Sequence, residues 1–348
     1  MNSAIAFPPL LEGLMWVESS EVPRILVGMR SEVQKLPELF LERLKRIFPS
    51  QKWDAVANTF TEPKPTTFRV NTLKAGVRGI VQEKLEHLGF RLEKVPWCPE
   101  AFILRGGRLR ELQETEAYQK GEIYVQSLSS MIPPLVLDPQ PGERVLDLTA
   151  APGSKTTQMA CLMKGEGEVV ANDNNKIRFF KLKANLELQG VANVKLMMRP
   201  GELFGRDFPE SFDRVLLDAP CSAEGRFQVR EPASTHYWKP AKIKEMARKQ
   251  KNLVLSAFRA LKPGGVLVYS TCTFAPEENE GVLDWLIEKA KGAIQVETPG
   301  ERLHPVITRM PGLIQWEGRN LHPSLRGALR IVPTPLMEGF FVACLRKL

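Results

Sequence analysis

No run of about 18 apolar residues occurs anywhere in this chain of 348 residues, so a membrane-crossing helix is not expected. The N-terminus carries Ile5-Ala6-Phe7 and Leu10-Leu11, but Glu12 interrupts it and no basic stretch precedes it, which argues against a secretory leader. Cysteine is scarce and odd in number. Cys98, Cys161, Cys221, Cys272 and Cys344 are scattered and give neither a disulfide framework nor a zinc-ligand spacing. A reducing, cytoplasmic setting fits, no metal is expected, and a chemical role for one or two thiols stays open. Internal repeats and low-complexity tracts are absent. Two phosphate-loop signatures are missing as well. A Walker loop needs glycine at both ends of its four-residue spacer, and Thr149 and Ser154 stand there; no G-x-G-x-x-G occurs.

What is present is ordinary for a globular protein: 43% hydrophobic and 25% charged residues, with a length that suggests two domains. The 27 prolines gather in connectors such as Glu62-Pro63-Lys64-Pro65 and Asp138-Pro139-Gln140-Pro141-Gly142. The net charge of +8 and pI of 9.2 favour a polyanionic partner, though charge alone does not establish one.

Residues 1–35 show little periodicity and receive no role. Helical spacing runs from Pro37 to Phe48, where Pro49 stops it. Thr67 to Asn71 reads as a strand, and Val77 to Leu88 as a helix closed by Gly89. These make residues 36–125 a small α+β unit. From Arg144 the pattern becomes strand–helix alternation: strands at 144–148, 168–171, 212–217 and 266–269, helices at 155–163 and 175–188, and a longer helix from Pro240 that Pro263-Gly264-Gly265 ends. Residues 126–348 therefore read as a parallel, doubly wound α/β sheet.

Two features of that sheet carry chemistry. The small-residue loop Thr149-Ala150-Ala151-Pro152-Gly153-Ser154-Lys155 joins a strand to a helix start and lets a ligand approach the backbone. Asp173 ends the next strand, where an acid accepts hydrogen bonds from ribose hydroxyls; the alternative is a helix-capping Asp. The second feature is a pair of thiols. Asp218-Ala219-Pro220-Cys221 and Ser270-Thr271-Cys272 each follow a strand, so both cysteines should face the cleft beyond the strands' carboxyl ends. A lone cysteine is most often a buried small hydrophobe, the reading that suits Cys98, Cys161 and Cys344.

Leu146 to Thr156, Leu217-Asp218-Ala219-Pro220-Cys221-Ser222, Tyr269-Ser270-Thr271-Cys272-Thr273, Pro276-Glu277-Glu278-Asn279-Glu280, Gly339-Phe340-Phe341-Val342-Ala343 and Phe68-Arg69-Val70-Asn71-Thr72 together resemble the Sun-type family of RNA (cytosine-5) methyltransferases. The likeness spans roughly Leu36 to Leu348. It implies a Rossmann-like doubly wound methyltransferase sheet, a small N-terminal α+β RNA-binding domain, S-adenosyl-L-methionine as cofactor, and methylation of cytosine C5 in ribosomal or transfer RNA. By the same resemblance Cys272 attacks C6, Cys221 assists release and Asp218 contacts the pyrimidine edge. A thiolate at C6 is what makes C5 nucleophilic. Lys155 either favours that thiolate and orients the base or is a surface lysine at a helix start. The loop 149–155, Asp173, Arg178 and Asp218 would hold the cofactor.

Three departures from the family pattern stand out. Ser154 replaces a usual Gly, Ser222-Ala223-Glu224-Gly225 replaces a more glycine-rich run, and Pro200-Gly201 replaces the Asp that reaches adenine. Glu202 or backbone groups are the substitutes for that Asp. Arg69 and Asn71, by resemblance, and Lys239 and Lys242, from the basic run 239–251, are the expected RNA contacts; a solvated polar face is the plainer reading of the lysines. A second class, an idle RNA-binding factor on the same scaffold, would need neither thiol. A monomer is expected.

Overall fold

The computed structural model describes residues 32–74, 78–299 and 303–348. The expected N-terminal segment lies mostly outside them, as does Val77, the expected start of a helix.

Helix α1 (Glu38–Ile47) leads to a small sheet made of β1 (Thr67–Val70), β2 (Arg91–Lys94), β3 (Ala101–Gly106) and β4 (Ile123–Val125), with helix α2 (Arg78–His87) between the first two strands. The strand order is β2-β3-β1-β4, antiparallel throughout. Phe68, Val70, Phe102, Leu104 and Ile123 bury one face under Val81 and Leu85 of α2. Helix α1 does not join that core. Its Phe40, Leu44 and Ile47 pack with Phe60, Phe227, Phe274 and Trp316, so it lies against the loops that follow the two cysteine motifs.

The larger unit begins with α3 (Leu128–Leu137) and then alternates: β5 (Arg144–Asp147), α4 (Ser154–Leu162), β6 (Glu168–Asn172), α5 (Lys176–Gln189), β7 (Val194–Met197), β8 (Phe212–Asp218), α6 (Pro240–Ala260), β9 (Leu261–Thr271) and α7 (Glu280–Ala290). The short strands β10 (Ile294–Glu297), β11 (Arg309–Pro311), β12 (Gln315–Trp316), β13 (Arg319–Asn320) and β14 (Leu329–Ile331) precede the last strand, β15 (Phe340–Lys347). The nine-stranded sheet runs β11-β14-β15-β9-β8-β5-β6-β7, with β10 added to β15. Its β9-to-β7 half is parallel, as the alternation requires. Beyond β9 the sheet turns antiparallel, an extension that the sequence reading does not contain.

Side-chain alternation splits the core in two. Val215, Leu217, Leu267, Tyr269 and Phe341 face Leu253, Val254 and Ala257 of α6. Their neighbours Leu216, Val266, Val268 and Val342 face Met131, Ile132 and Val136 of α3. One boundary needs correction. Pro263-Gly264-Gly265 does not end helix α6, which stops at Ala260; Leu261 already pairs with Phe212, and the three residues enter β9 as a register irregularity. Gly264 has φ +77°, and a Cβ on Gly265 would lie 2.8 Å from the Asp213 carbonyl, so the bulge demands glycine.

Candidate active site

The site lies past the carboxyl ends of β5, β6, β8 and β9, where an open α/β sheet gathers its ligands. On the β5 side, Ala150 N–H donates to the Asn172 carbonyl at 2.7 Å, which ties the loop to the end of β6. Gly153 takes φ +107°, a left-handed turn open to glycine, and Ser154 is already the first residue of α4. The Ser-for-Gly departure thus falls on helical backbone and costs nothing. Thr149 Oγ1 donates to the Asp218 carbonyl at 2.8 Å. Asp173 is buried, accepts from Asn175 N–H at 3.0 Å and lies 3.3 Å from Arg178, which also donates to the Ala151 carbonyl at 2.7 Å.

Pro200 leads into a 3-10 turn, Gly201–Leu203. Gly201 is buried, its carbonyl accepts from Ser256 Oγ at 2.8 Å, and a Cβ there would lie 2.7 Å from Leu253. Asn172 holds the preceding residue by two bonds, accepting from Arg199 N–H and donating to the Arg199 carbonyl, each 3.0 Å. The third wall of the cradle is therefore pinned backbone, and Glu202 is exposed on its outside. A buried carboxylate at a strand end, a left-handed glycine turn and a wall of backbone suit a nucleoside-bearing sulfonium.

The β8–β9 side holds the thiols. Asp218 pairs with Ser270 in register, so the residues beyond them emerge side by side. Cys221 Sγ and Cys272 Sγ are 3.5 Å apart. The Cys221 thiol is pushed well above its ordinary value by its hydrogen bond to Cys272, by burial and by the charge of Cys272. Asp218 accepts from Lys155 Nζ at 2.7 Å and Ser270 Oγ at 2.8 Å. Lys155 also donates to Ser130 Oγ at 2.8 Å and is 8% exposed, so it is no surface lysine. Each Asp218 oxygen keeps a lone pair for a base edge. Cys98 and Cys344 are buried, and burial is the main cause that pushes the Cys98 thiol up to about 12.

The sequence Glu277-Glu278-Asn279-Glu280 underlies both cysteine loops. Glu277 pairs with Arg43 of α1 at 2.6 Å, and Glu280 with the buried Arg330 at 2.5 Å. Glu224, within the departure after Cys221, is also buried. It accepts from Trp238 Nε1 at 2.9 Å, Thr273 Oγ1 at 3.0 Å and Phe274 N–H at 3.1 Å, and burial raises its pKa. The departure from the glycine-rich pattern thus supplies a brace between the two loops. Sequence reasoning does not reach Ser130, Gln250, Ser270 or Glu278: Ser270 and Glu278 lie inside motifs that resemble the family, whereas Ser130 and Gln250 carry no local signal.

Two of the four expected RNA contacts are buried in this structure. Arg69 is 2% exposed and Asn71 1%. Arg69 donates to Gln126 Oε1 at 2.9 Å, the Ser154 carbonyl at 3.2 Å and Thr157 Oγ1, with Tyr124 beneath its guanidinium. Asn71 donates to the Gly121 and Gln189 carbonyls at 2.9 and 2.7 Å. Their donors fasten the small sheet to α4 and α5, and both side chains are buried. Lys239 is exposed beside the start of α6; Lys242 is half-buried and pairs with Glu245 at 3.2 Å. Among the described residues no group of three or more His, Cys, Asp or Glu side chains could hold a metal, and no helix is long and apolar enough to cross a membrane.

Residues 134–346 match the family of 16S rRNA methyltransferase RsmB/F, and residues 36–128 match the N-terminal domain of 16S rRNA methyltransferase RsmF. A tRNA (cytosine(49)-C(5))-methyltransferase of Pyrococcus abyssi is 40% identical over 91% of this chain and 98% of that protein. Ribosomal RNA small subunit methyltransferase F of Vibrio parahaemolyticus is 41% identical over 90% of this chain, but the chain spans only 63% of that longer protein. Among solved structures, a methyltransferase homologue from Pyrococcus horikoshii is similar with a TM-score of 0.73 and 34% identity, covering 90% of this chain and all of that one. NSun6 from Pyrococcus horikoshii, solved with the S-adenosylmethionine analogue SFG, gives 0.75 and 26% over 90% of this chain and 99% of that one.

Proposed function

The chain belongs to the RsmB/F family of 16S rRNA methyltransferases, and from that premise we propose that it methylates C5 of a cytosine in ribosomal or transfer RNA, with Cys272 as nucleophile and Cys221 as its partner in release. S-adenosylmethionine would supply an electrophilic methyl group on sulfonium sulfur. Thr149 to Lys155 would line it, Asp173 would take the ribose hydroxyls, Arg178 would close its outer end, and the backbone at Pro200-Gly201 would border adenine.

The observation that carries the reading is the thiol pair at the edge of that cradle, 3.5 Å apart. The Cys272 thiolate adds to C6, and the C5=C6 electron pair shifts towards the ring edge that Asp218 faces. Lys155 and Ser270 fix that carboxylate, and Lys155 partly balances the charge that builds there. C5 would then take the methyl group, with the methyl–sulfur electron pair staying on the cofactor sulfur as a neutral thioether. Loss of the C5 proton to water re-forms C5=C6, and the Cys272 sulfur leaves with the C6–S electron pair. The hydrogen bond to Cys272 and burial hold the Cys221 thiol well above its ordinary value, so Cys221 keeps its proton through the reaction. Its S–H is therefore a donor aimed at the departing sulfur, which is how it assists release. The exposed Lys239 would meet RNA phosphate.

The test mixes the Cys221→Ala variant with cellular RNA and S-adenosylmethionine and runs a denaturing gel. A slow-moving protein–RNA adduct that disappears when Cys272 is also changed is the expected result. Methyl transfer by the wild type with no adduct from the variant would overturn the thiol roles. No transfer to any RNA would favour a binding factor.

A further inference from the structure

Strand pairing aligns β8 and β9 only as far as Asp218 and Ser270. Cys221 lies three residues beyond the end of β8, and Cys272 one beyond the end of β9. Their backbone polar groups need other partners there. The two loops are tied directly by Ala219 N–H to the Ser270 carbonyl and Gly225 N–H to the Cys272 carbonyl, each 2.8 Å, by Ser222 Oγ and Thr273 Oγ1 at 2.8 Å, and by the Glu224 brace. The residues on either side of each cysteine are held by two adjacent, fully buried side chains, Glu278 and Asn279.

The two side chains serve different thiols. Glu278 Oε2 accepts from Ser222 N–H at 3.0 Å, just after Cys221, and from Gln250 Nε2 at 2.9 Å. The same Gln250 nitrogen donates to the Pro220 carbonyl at 2.9 Å, just before Cys221. Glu278 and Gln250 therefore hold Cys221 from both sides. Asn279 does the same for the other thiol. Its Oδ1 accepts from Thr271 Oγ1 at 2.6 Å, before Cys272, and its Nδ2 donates to the Thr273 carbonyl at 2.9 Å, after it. Tyr269 fixes the fork itself by donating to the Glu278 carbonyl at 2.6 Å.

We infer that the fork divides control of the reaction: Glu278 with Gln250 positions the Cys221 thiol for release, and Asn279 with Thr271 positions the Cys272 sulfur for attack. This rests on the cysteine roles proposed above. None of the four touches the base, so all are positioning residues. A displacement of about 1 Å in a reacting group costs up to roughly 100-fold in rate, so losing one bracket should slow one step and spare the other. A truss with no such division would slow both steps alike.

The full-length enzyme, in excess over a substrate RNA and with S-adenosylmethionine, separates the steps in a single turnover. Adduct on a denaturing gel reports attack, and its decay to free methylated RNA reports release. Glu278→Ala and Gln250→Ala should form adduct within about threefold of the wild-type rate and resolve it about 10-fold more slowly or worse. Glu278→Gln should recover much of that loss, because its amide oxygen still accepts from Ser222. Asn279→Ala and Thr271→Val should form adduct about 10-fold more slowly and accumulate none. If Glu278→Ala or Asn279→Ala fails to fold, Gln250→Ala and Thr271→Val carry the test, since each removes less. Equal slowing of both steps, or the reverse assignment, overturns the inference. Cys221→Ala run alongside keeps the two readings apart. If it traps adduct while Gln250→Ala resolves like wild type, only the divided fork is wrong; if it traps none, the cysteine roles are.

Discussion

Helix α4 presents two buried polar networks, and they use the same kinds of groups for opposite ends. Ser154, Thr157, Gln158 and Cys161 recur at helical spacing on the side that meets Arg69, Asn71 and Gln126 of the small sheet. Lys155 and Thr156 turn to the cleft, where they meet Asp218 and Asp147. In the seam a buried guanidinium is held by neutral acceptors, and its donors are consumed inside the protein. Around the cleft stand groups whose protonation their surroundings disturb: burial pushes Asp147 and Glu278 up to about 7, and the hydrogen bond to Cys272 and burial raise Cys221 well beyond its usual value. Asp147 Oδ1 and Glu278 Oε1 are buried without a hydrogen-bond partner. A residue can thus sit in a recognisable motif and still have its donors taken up inside the protein. What separates the two regions is whether charge can change or be shared there.

Arg69→Ala tests the seam and should have the largest effect. It leaves Gln126 Oε1 and Thr157 Oγ1 short of a donor around a cavity, while the Ser154 carbonyl keeps Thr157 Oγ1; the loss should cost about 4 kcal/mol of stability. RNA affinity of the folded fraction should keep its salt dependence. An intact unfolding midpoint with the salt slope reduced by about one unit would instead restore Arg69 as a phosphate contact.

Lys155→Met tests the cleft and should come next. It frees Asp218 from its fixed orientation, and kcat/KM should fall about 100-fold, equivalent to ~2.7 kcal/mol, with a smaller drop in melting temperature than Arg69→Ala shows. Unchanged activity in a destabilised variant would move Lys155 to the structural side of the comparison.

The smallest effect is a pH dependence. Burial is the main cause that raises Asp147 from its ordinary 3.8 to about 7, so the folded protein retains a proton that the unfolded chain releases. Its contribution to stability is complete below about pH 4 and is lost as pH rises through about 7. Asp147→Asn should flatten that decline in melting temperature between pH 5 and 8, relative to wild type, by roughly the share of one such group. A slope identical to wild type would mean that Asp147 is ionised in the fold.

Much of the catalytic half was legible. Short apolar segments alternating with amphipathic helices fix parallel strands, because only that arrangement buries both faces, and the two cysteine motifs follow strand ends by local sequence alone. The rest was hidden for identifiable reasons. Helix α3 carries Pro133 and Pro134 in its interior, so its pattern resembles a connector. The antiparallel edge from β15 outward depends on pairings between segments distant in sequence. Arg69 and Asn71 look like surface groups until the small sheet docks on α4.

Local sequence sets the groups at hand: which strand ends carry the two thiols and Asp218, and which loop can approach a nucleoside. Those follow from residue type and local periodicity. Tertiary structure decided the partnerships: that Cys221 and Cys272 stand 3.5 Å apart, that Lys155 serves Asp218, and that Arg69 is a strut. No local pattern encodes these, because each bond joins segments brought together only when both faces of the sheet are buried.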